Sequence, residues 1–353
     1  MVQFDVPTEQ KAQVVENERG PPTYKTIPVP EPAPNEVLVN VKYSGVCRTD
    51  LHSMNGDWPL PRKTPIIGGH EGAGVIVSKG SMVREHEVGD KVGIKWLSSS
   101  CMDCTFCTSA QEPLCSRAKF SGYTVDGTFQ QYAVADAAHV ARLPEDADLA
   151  AIAPILCAGL TVYKALKVSE ARPGQYVCIV GAGGGLGSLA VQYAKAMGLH
   201  PIGIDAGAEK GESCRKLGAV SYVDFTTSES VPDDVRAATH DGLGPQAVLL
   251  ITEEDKPFQQ AMAYVRSGGS IVCIGMPAGT SVGLPIFEAV TRMISVKGSY
   301  VGTRQDTLEA VDFFRRGLVE EPYKVVGLSE LQNVFQLMGE NKITGRYVLD
   351  MSK

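Results

Sequence analysis

The run Tyr176-Val-Cys-Ile-Val180 leads into seven residues of which five are glycine, Gly181-Ala-Gly-Gly-Gly-Leu-Gly187, and then into helix-forming sequence from Ser188. Glycine turns a chain tightly and lets other backbone approach closely, so this is a strand-to-helix joint. The alternation continues to about residue 298. Apolar runs at 176–180, 202–204, 222–225, 247–251 and 270–274 are separated by helical patterns at 188–197, 209–217 and 258–265. Strands alternating with helices predict a doubly wound parallel sheet covered on both faces. A chain of 353 residues exceeds what one core usually serves, so a second domain is expected. Its strands are short and punctuated. The first forty residues hold seven prolines and the alternating stretch Glu36-Val-Leu-Val-Asn-Val-Lys42, and glycine-rich turn signals persist to about 145. Residues 150–167 read as helix, begun or broken near Pro154 and Gly159, and a last clear helix is expected over 307–316.

The glycine loop carries chemistry as well as shape. At a helix N-terminus, backbone N–H groups and the helix dipole favour an anion, and glycines at 181, 183, 184, 185 and 187 would let a pyrophosphate come close. The strict G-x-G-x-x-G is absent, because Leu186 delays the last glycine by one residue. The next strand ends at Asp205, 18 residues beyond Gly187. A carboxylate there accepts hydrogen bonds from ribose hydroxyls and repels a 2′-phosphate, which predicts NAD rather than NADP. The alternative is that Asp205 only caps a turn. Lys210 is either a ribose contact or a solvated lysine.

Nine cysteines are an odd number for a disulfide framework. Four form Cys101-x₂-Cys104-x₂-Cys107-x₇-Cys115, a spacing that suits a closed tetrahedral thiolate site for structural zinc, though iron takes the same ligands. Cys47, His70 and Cys157 are scattered. Two thiolates and an imidazole would leave a fourth metal position open, as catalysis requires, with Asp50 and Glu71 available behind them. Taken singly, each of the three also reads as an ordinary core or loop residue. Cys178 and Cys273 fall in expected core strands.

The chain carries 33 basic and 40 acidic residues, a net charge of −7, with 44% apolar and 21% charged residues. That mix predicts a soluble globular protein, and an acidic surface argues against nucleic-acid binding. The uncharged apolar run Leu149 to Tyr163 is 15 residues and contains Pro154, short of the ~18 that would suggest a membrane span. The first residues show neither an apolar signal core nor an Arg-rich transit pattern, so a cytoplasmic protein is expected.

Taken together, these residues resemble the zinc-dependent medium-chain alcohol dehydrogenases, most closely the yeast-type, ethanol/acetaldehyde branch. The resemblance spans nearly the whole chain and rests on Gly68-Gly-His-Glu-Gly-Ala-Gly74, the four-cysteine lobe, Pro154-Ile-Leu-Cys-Ala-Gly159, Leu186-Gly-Ser-Leu-Ala-Val-Gln-Tyr-Ala-Lys195 and Gly345-Arg-Tyr-Val348. It implies a Rossmann domain over 160–298 inserted in a mainly β, GroES-like catalytic domain over 1–159 and 299–353, with a structural zinc lobe near 98–117. It implies Cys47, His70 and Cys157 as catalytic zinc ligands with Glu71 behind the metal, Asp50 orienting His70, and a second zinc on the four clustered cysteines. Thr49 and His52 fall on the family's proton relay, which runs by way of a cofactor ribose hydroxyl. Arg48, Gly184, Gly185, Leu186, Asp205, Lys210, Ile274, Met276, Ser299, Val301 and Arg346 fall on cofactor-binding positions. Trp58, Trp96 and Met276 fall on the substrate pocket. The implied partners are NAD(H) and a small alcohol or aldehyde, and the implied assembly is a homotetramer. One position departs from the branch: Arg48 stands where the yeast-type enzyme has histidine. A forked, always-charged guanidinium there is expected to hold the cofactor pyrophosphate at least as tightly as imidazole, slowing NADH release.

Overall fold

The computed structural model describes residues 4–353 except Pro59, Ala278, Asn341 and Thr344. It divides into two compact units, residues 1–157 with 301–315 and 321–353, and residues 158–300 with 316–320.

The first unit is built on the strand Glu36–Val46. This strand pairs antiparallel with Gly72–Lys79, Tyr132–Asp136 and Arg346–Asp350 in a seven-stranded sheet. The Val-Leu-Val run reads as alternating, yet Val37, Leu38 and Val39 are all buried, because both faces of this strand are covered. Val37, Val39, Val41, Ile76, Phe129, Phe335 and Leu349 share one core. Two register shifts along the pairing with Gly72–Lys79 bend the strand toward Cys47, the residue that follows it. A three-stranded sheet of Thr23–Pro28, Glu9–Val15 and Ile66–Ile67 leads directly to the Gly68-Gly-His segment.

The second unit is a six-stranded parallel sheet. From the first strand, Tyr176–Val180, the chain moves outward through His200–Asp205 and Ser221–Asp224. It then crosses to the other side through Ala247–Leu250, Ser270–Cys273 and Ser295–Gly298. The order reverses at Tyr176–Val180, and the crevice beyond the carboxyl ends at such a reversal is where ligands bind in this architecture. The five expected strands are present with ends within two residues. The sixth, Ser295–Gly298, is an edge strand with mostly exposed side chains, so it lacks the apolar run that marked the others. The helix from the glycine loop starts at Gly185, three residues earlier than expected. A helix at Val231–Ala237, capped by Ser230, and another at Leu331–Gly339 were not legible in the periodicity. The helix expected over 307–316 runs over Arg304–Arg315. Thr303 and Asp306 bond reciprocally at its start, Asp306 N–H to Thr303 Oγ1 at 3.1 Å and Thr303 N–H to Asp306 Oδ2 at 3.0 Å. No single helix among the described residues is long and apolar enough to cross a membrane.

Candidate functional site

Cys47 caps the helix Arg48–Asn55, and Asp50 is the third residue of that helix. The Asp50 carboxylate does two things. Oδ2 accepts the Cys47 backbone N–H at 2.9 Å, and Oδ1 engages His70 Nδ1 at 2.7 Å. One buried carboxylate therefore fixes both the cap and the imidazole, and turns His70 Nε2 toward Cys157 Sγ, 3.2 Å away. Cys157 lies just past the short Ala153–Leu156 turn, where Pro154 sits and the next helix has not begun. Glycines make room on the other side. A Cβ at Gly69 would come within 2.6 Å of Phe129 and Thr128, and one at Gly45 would fall 1.9 Å from Glu71 Oε2. Gly45 is thus a site residue that spacing gave no reason to select.

Ligand atoms of Cys47, His70, Glu71 and Cys157 all lie within 4.8 Å of one another. The contact with Cys157 and the neighbouring His70 hold the Cys47 thiol well below its ordinary range despite burial, while the same contact and burial push Cys157 up. Burial disfavours a proton on His70, but the Asp50 carboxylate outweighs it and raises His70 well above an ordinary histidine. Glu71 is pushed up to about 7 by burial, opposed by Arg346. Arg346, assigned to the cofactor by resemblance, is buried here with Nη2 on Glu71 Oε1. Glu71 Oε2 and Arg346 Nε have no hydrogen-bond partner among the described residues. A buried donor set of two thiols and an imidazole, with such polar atoms left over, fits a divalent cation. With both thiols ionised, Zn²⁺ would be neutralised by Cys47 and Cys157, and Glu71 by Arg346.

The four-cysteine lobe fits a metal differently. Its sulfurs stand 3.8 Å (Cys101–Cys107), 3.6 Å (Cys104–Cys107) and 3.5 Å (Cys101–Cys115) apart. These match the ~3.8 Å edge of a sulfur tetrahedron with Zn–S of ~2.3 Å. The Arg117 backbone N–H donates to Cys115 Sγ at 3.4 Å, and the Cys107 thiol lies 3.4 Å from Ser100 Oγ. All nine cysteines are free.

Both tryptophans belong to one aromatic wall. Trp96 is buried and meets His70 edge-on at 5.2 Å, while Trp58 meets Trp96 edge-on at 6.0 Å. Phe120 stacks on Trp96 at 5.4 Å, and Tyr123 lies 5.6 Å from Trp58 and 5.8 Å from Trp96. Phe120 and Tyr123 were missed, because nothing in a linear pattern brings rings from distant segments together. Thr49 is half-buried one helical turn before His52, whose Nδ1 is 2.8 Å from Asp57 Oδ2. Arg48 Nη2 reaches the Met338 carbonyl at 3.4 Å.

In the second unit, the glycine loop, Asp205 and Lys210, expected from the sequence to hold a dinucleotide, lie together. Gly181 has φ +87°, and a Cβ at Gly187 would lie 2.0 Å from the Gly181 carbonyl oxygen, so the loop folds only with glycine at 187. Asp205 accepts the Gly183 N–H at 2.9 Å and the Ala206 N–H at 2.8 Å, and Lys210 Nζ donates to it at 2.7 Å. Loop, carboxylate and lysine are therefore held together before any ligand arrives. Ile274 is buried, Met276 is exposed, and Ser299 Oγ is a buried hydroxyl without a partner among the described residues. Val301, which belongs to the first unit, has φ +44°, a conformation rare for a β-branched residue.

Residues 33–145 match the alcohol dehydrogenase GroES-like domain, and residues 185–316 match the zinc-binding dehydrogenase domain. The chain is 64% identical to alcohol dehydrogenase 1 of Neurospora crassa over the full length of both. It is 56% identical to alcohol dehydrogenase 1 of Emericella nidulans over 99% of each chain. Among solved structures, the alcohol dehydrogenase of the archaeon Aeropyrum pernix superposes with a TM-score of 0.87 at 28% identity, covering 96% of this chain and 99% of that one. The matched domains, the full-length relatives and the paired metal-ligand groups agree: this chain belongs to the zinc-dependent alcohol dehydrogenase family.

Proposed function

We propose that this enzyme interconverts short primary alcohols, ethanol foremost, and their aldehydes with NAD(H), using Thr49 and His52 to carry the proton. The observation that supports this most directly is the packing of Trp96 against His70 at 5.2 Å, with Trp58 beyond it. Large rings beside a metal ligand leave room for a two-carbon chain and crowd a branched one. Asp205 supports NAD, since a carboxylate already bonded to the loop repels a 2′-phosphate.

When bound by Cys47, His70 and Cys157, Zn²⁺ supplies Lewis acidity that lowers the pKa of an alcohol oxygen, and NAD supplies the hydride acceptor. The chain's own residues do the rest. Thr49 accepts a hydrogen bond from the substrate hydroxyl and passes its own proton on toward His52, whose side chain is 30% exposed and which gives a proton to solvent. Trp58, Trp96 and Met276 bound the substrate. Arg48, the 181–187 loop, Lys210, Ile274, Ser299 and Val301 hold the dinucleotide, and Arg346 joins them through its position at Glu71. The first compact unit carries the catalytic metal ligands, and the second carries the glycine loop, Asp205 and Lys210.

Self-association to a homotetramer belongs to the same proposal. The edge strand Ser295–Gly298 adjoins the helix Ile286–Thr291, whose Ile286, Phe287 and Val290 are largely exposed together with Met293. An unpaired strand edge beside an apolar patch is a surface that seeks a partner. Light scattering of the purified protein reads the assembly directly.

The function is tested by rates over straight and branched alcohols with NAD and NADP, alongside zinc content. Ethanol with NAD is expected to be preferred, with two zinc ions per chain. A preference for aromatic or branched alcohols, or for NADP, would overturn this reading.

A further inference from the structure

We propose that Asp57 is a positioning residue for the proton relay, holding His52 in the tautomer that keeps its proton on Nδ1 and offers Nε2 as the base. This rests on the relay read above. His52 lies in the last turn of the helix Arg48–Asn55, which ends at Gly56 in the left-handed conformation. The next residue is Asp57. Its backbone N–H donates to the His52 carbonyl at 3.1 Å, and its carboxylate returns to His52 Nδ1 at 2.8 Å. The five-residue return is closed at both backbone and side chain, so the pair is built by the cap. Trp58, the following residue, lies 5.9 Å from the imidazole and restricts the ring further.

The surrounding charges give this carboxylate its importance. Arg48 stands one turn before His52 on the same helix, with Nη2 on the Met338 carbonyl of the helix Leu331–Gly339. Arg62 donates to the carbonyls of Ser53, Asn17 and Glu18, and Arg19 lies beside Gly56. On the C-terminal helix side, Glu340 is bound by Gln336 and Lys342. Positive charge near the turn disfavours an imidazolium, and Asp57 places a carboxylate in contact with the ring to oppose it. In alcohol oxidation, His52 Nε2 takes the proton while the Nδ1 proton stays in place, and Asp57 stabilises the cation without being protonated itself. The imidazolium then gives its Nε2 proton to water.

The sign follows. Asp57 raises the proton affinity of His52, so its neutralisation lowers it. In Asp57→Asn, the acid limb of kcat/KM for ethanol oxidation is expected to move to lower pH by about half a pH unit. The plateau rate is expected to fall roughly three- to tenfold, because a weaker base is left. Asparagine can still accept a hydrogen bond from Nδ1–H, so Asp57→Ala, which also releases the ring, is expected to lose more. The decisive measurement combines pH profiles of Asp57→Asn, His52→Gln and the double variant with an NMR titration of the His52 ring in the zinc-loaded protein. The expected result is a lowered His52 titration in Asp57→Asn and no further effect of that change once His52 is glutamine. If His52→Gln alters the profile but Asp57→Asn neither shifts the limb nor lowers the His52 titration, Asp57 has no part in the relay. Equal effects of Asp57→Asn with and without His52 would overturn it too. An unaltered profile in His52→Gln would instead bring down the relay itself.

Discussion

The two sulfur-rich sites of this enzyme are made in opposite ways. The four-cysteine set is drawn from fifteen consecutive residues and closed upon itself, in a lobe whose regular structure is the one-turn helix Thr105–Thr108 and the 3₁₀ turn Glu112–Leu114. The set of Cys47, His70 and Cys157 spans more than a hundred residues and exists only because three separate elements converge. The closed set is expected to rely on its metal for its shape, whereas the open set is held by the fold around it and by Asp50. The proposed function assigns one metal to stability and the other to chemistry. Exchanging the consequences of losing each is the way to break the comparison.

The largest effect is expected from His70→Ala. Removing a catalytic ligand should cost alcohol oxidation about a thousandfold or more, since the metal's Lewis acidity supplies several kcal/mol. One zinc per chain and a near-normal melting temperature should remain. Cys104→Ala should do the reverse, lowering the melting temperature while the folded fraction keeps most of its rate. Zinc content, melting curves and rates per folded chain read both variants. Equal losses of rate in the two would show that the lobe also serves catalysis.

The same contrast governs what could be read beforehand. The Cys101–Cys115 spacing is local, so its chemistry was visible in the chain itself. The open site became legible only through family resemblance, because no spacing rule links residues 47, 70 and 157. The parallel strands were visible because burial on both faces makes them continuously apolar, as in Ala247–Leu250. Ser295–Gly298 was not, since an edge strand escapes that requirement. The helix Val231–Ala237 announces itself by its cap, with Ser230 accepting the Asp233 N–H and acidic residues in its first turn, rather than by periodicity. Phe120, Tyr123 and Gly45 owe their importance to neighbours far away in sequence, and Arg346 owes its place on Glu71 to a pairing across 275 residues.

A smaller effect separates the supports of the two sites. Asp50 is buried and holds a ligand, so Asp50→Asn should weaken zinc binding or activity by about 10- to 100-fold. Asp103, beside the closed set, is an exposed partner of Arg117, and Asp103→Asn should change zinc retention by little. Competition with a chromogenic chelator measures both. A large loss from Asp103→Asn would mean that the closed set, too, depends on outside support.

Acid stability sharpens the contrast from the side of the lobe. His139 is buried, its Nε2 lies 3.0 Å from Ser100 Oγ, and burial, Lys95 and Arg304 pull its titration down to about 3. The unfolded chain takes up this proton near the ordinary value of about 6.5, so stability is lost as pH falls from there toward 3. By linkage the loss at pH 5 is about 2 kcal/mol. His139→Gln keeps an amide beside Ser100 but does not titrate. Its denaturation midpoint should therefore fall less than that of the parent between pH 7 and 5, with ethanol oxidation at neutral pH unchanged. Parallel pH dependences would show that His139 is protonated within the folded lobe.

The smallest effect lies at the open site's own edge. Arg48 follows Cys47 directly and occupies the first position of its helix, where the dipole already favours an anion. Its guanidinium can grip a pyrophosphate with two parallel hydrogen bonds, whereas histidine offers one nitrogen at a time and is largely neutral above pH 7. Arg48→His should therefore weaken NADH binding by a few-fold, a change below about 1 kcal/mol. Where product release limits turnover, kcat should rise as affinity falls. The Met338 carbonyl would also lose its guanidinium partner, but that contact belongs to the free enzyme as much as to the complex and cannot by itself raise turnover. Fluorescence titration of NADH with steady-state rates separates the two roles. Weaker binding with faster turnover assigns Arg48 to the cofactor, and unchanged NADH affinity would leave it a structural residue of the metal helix.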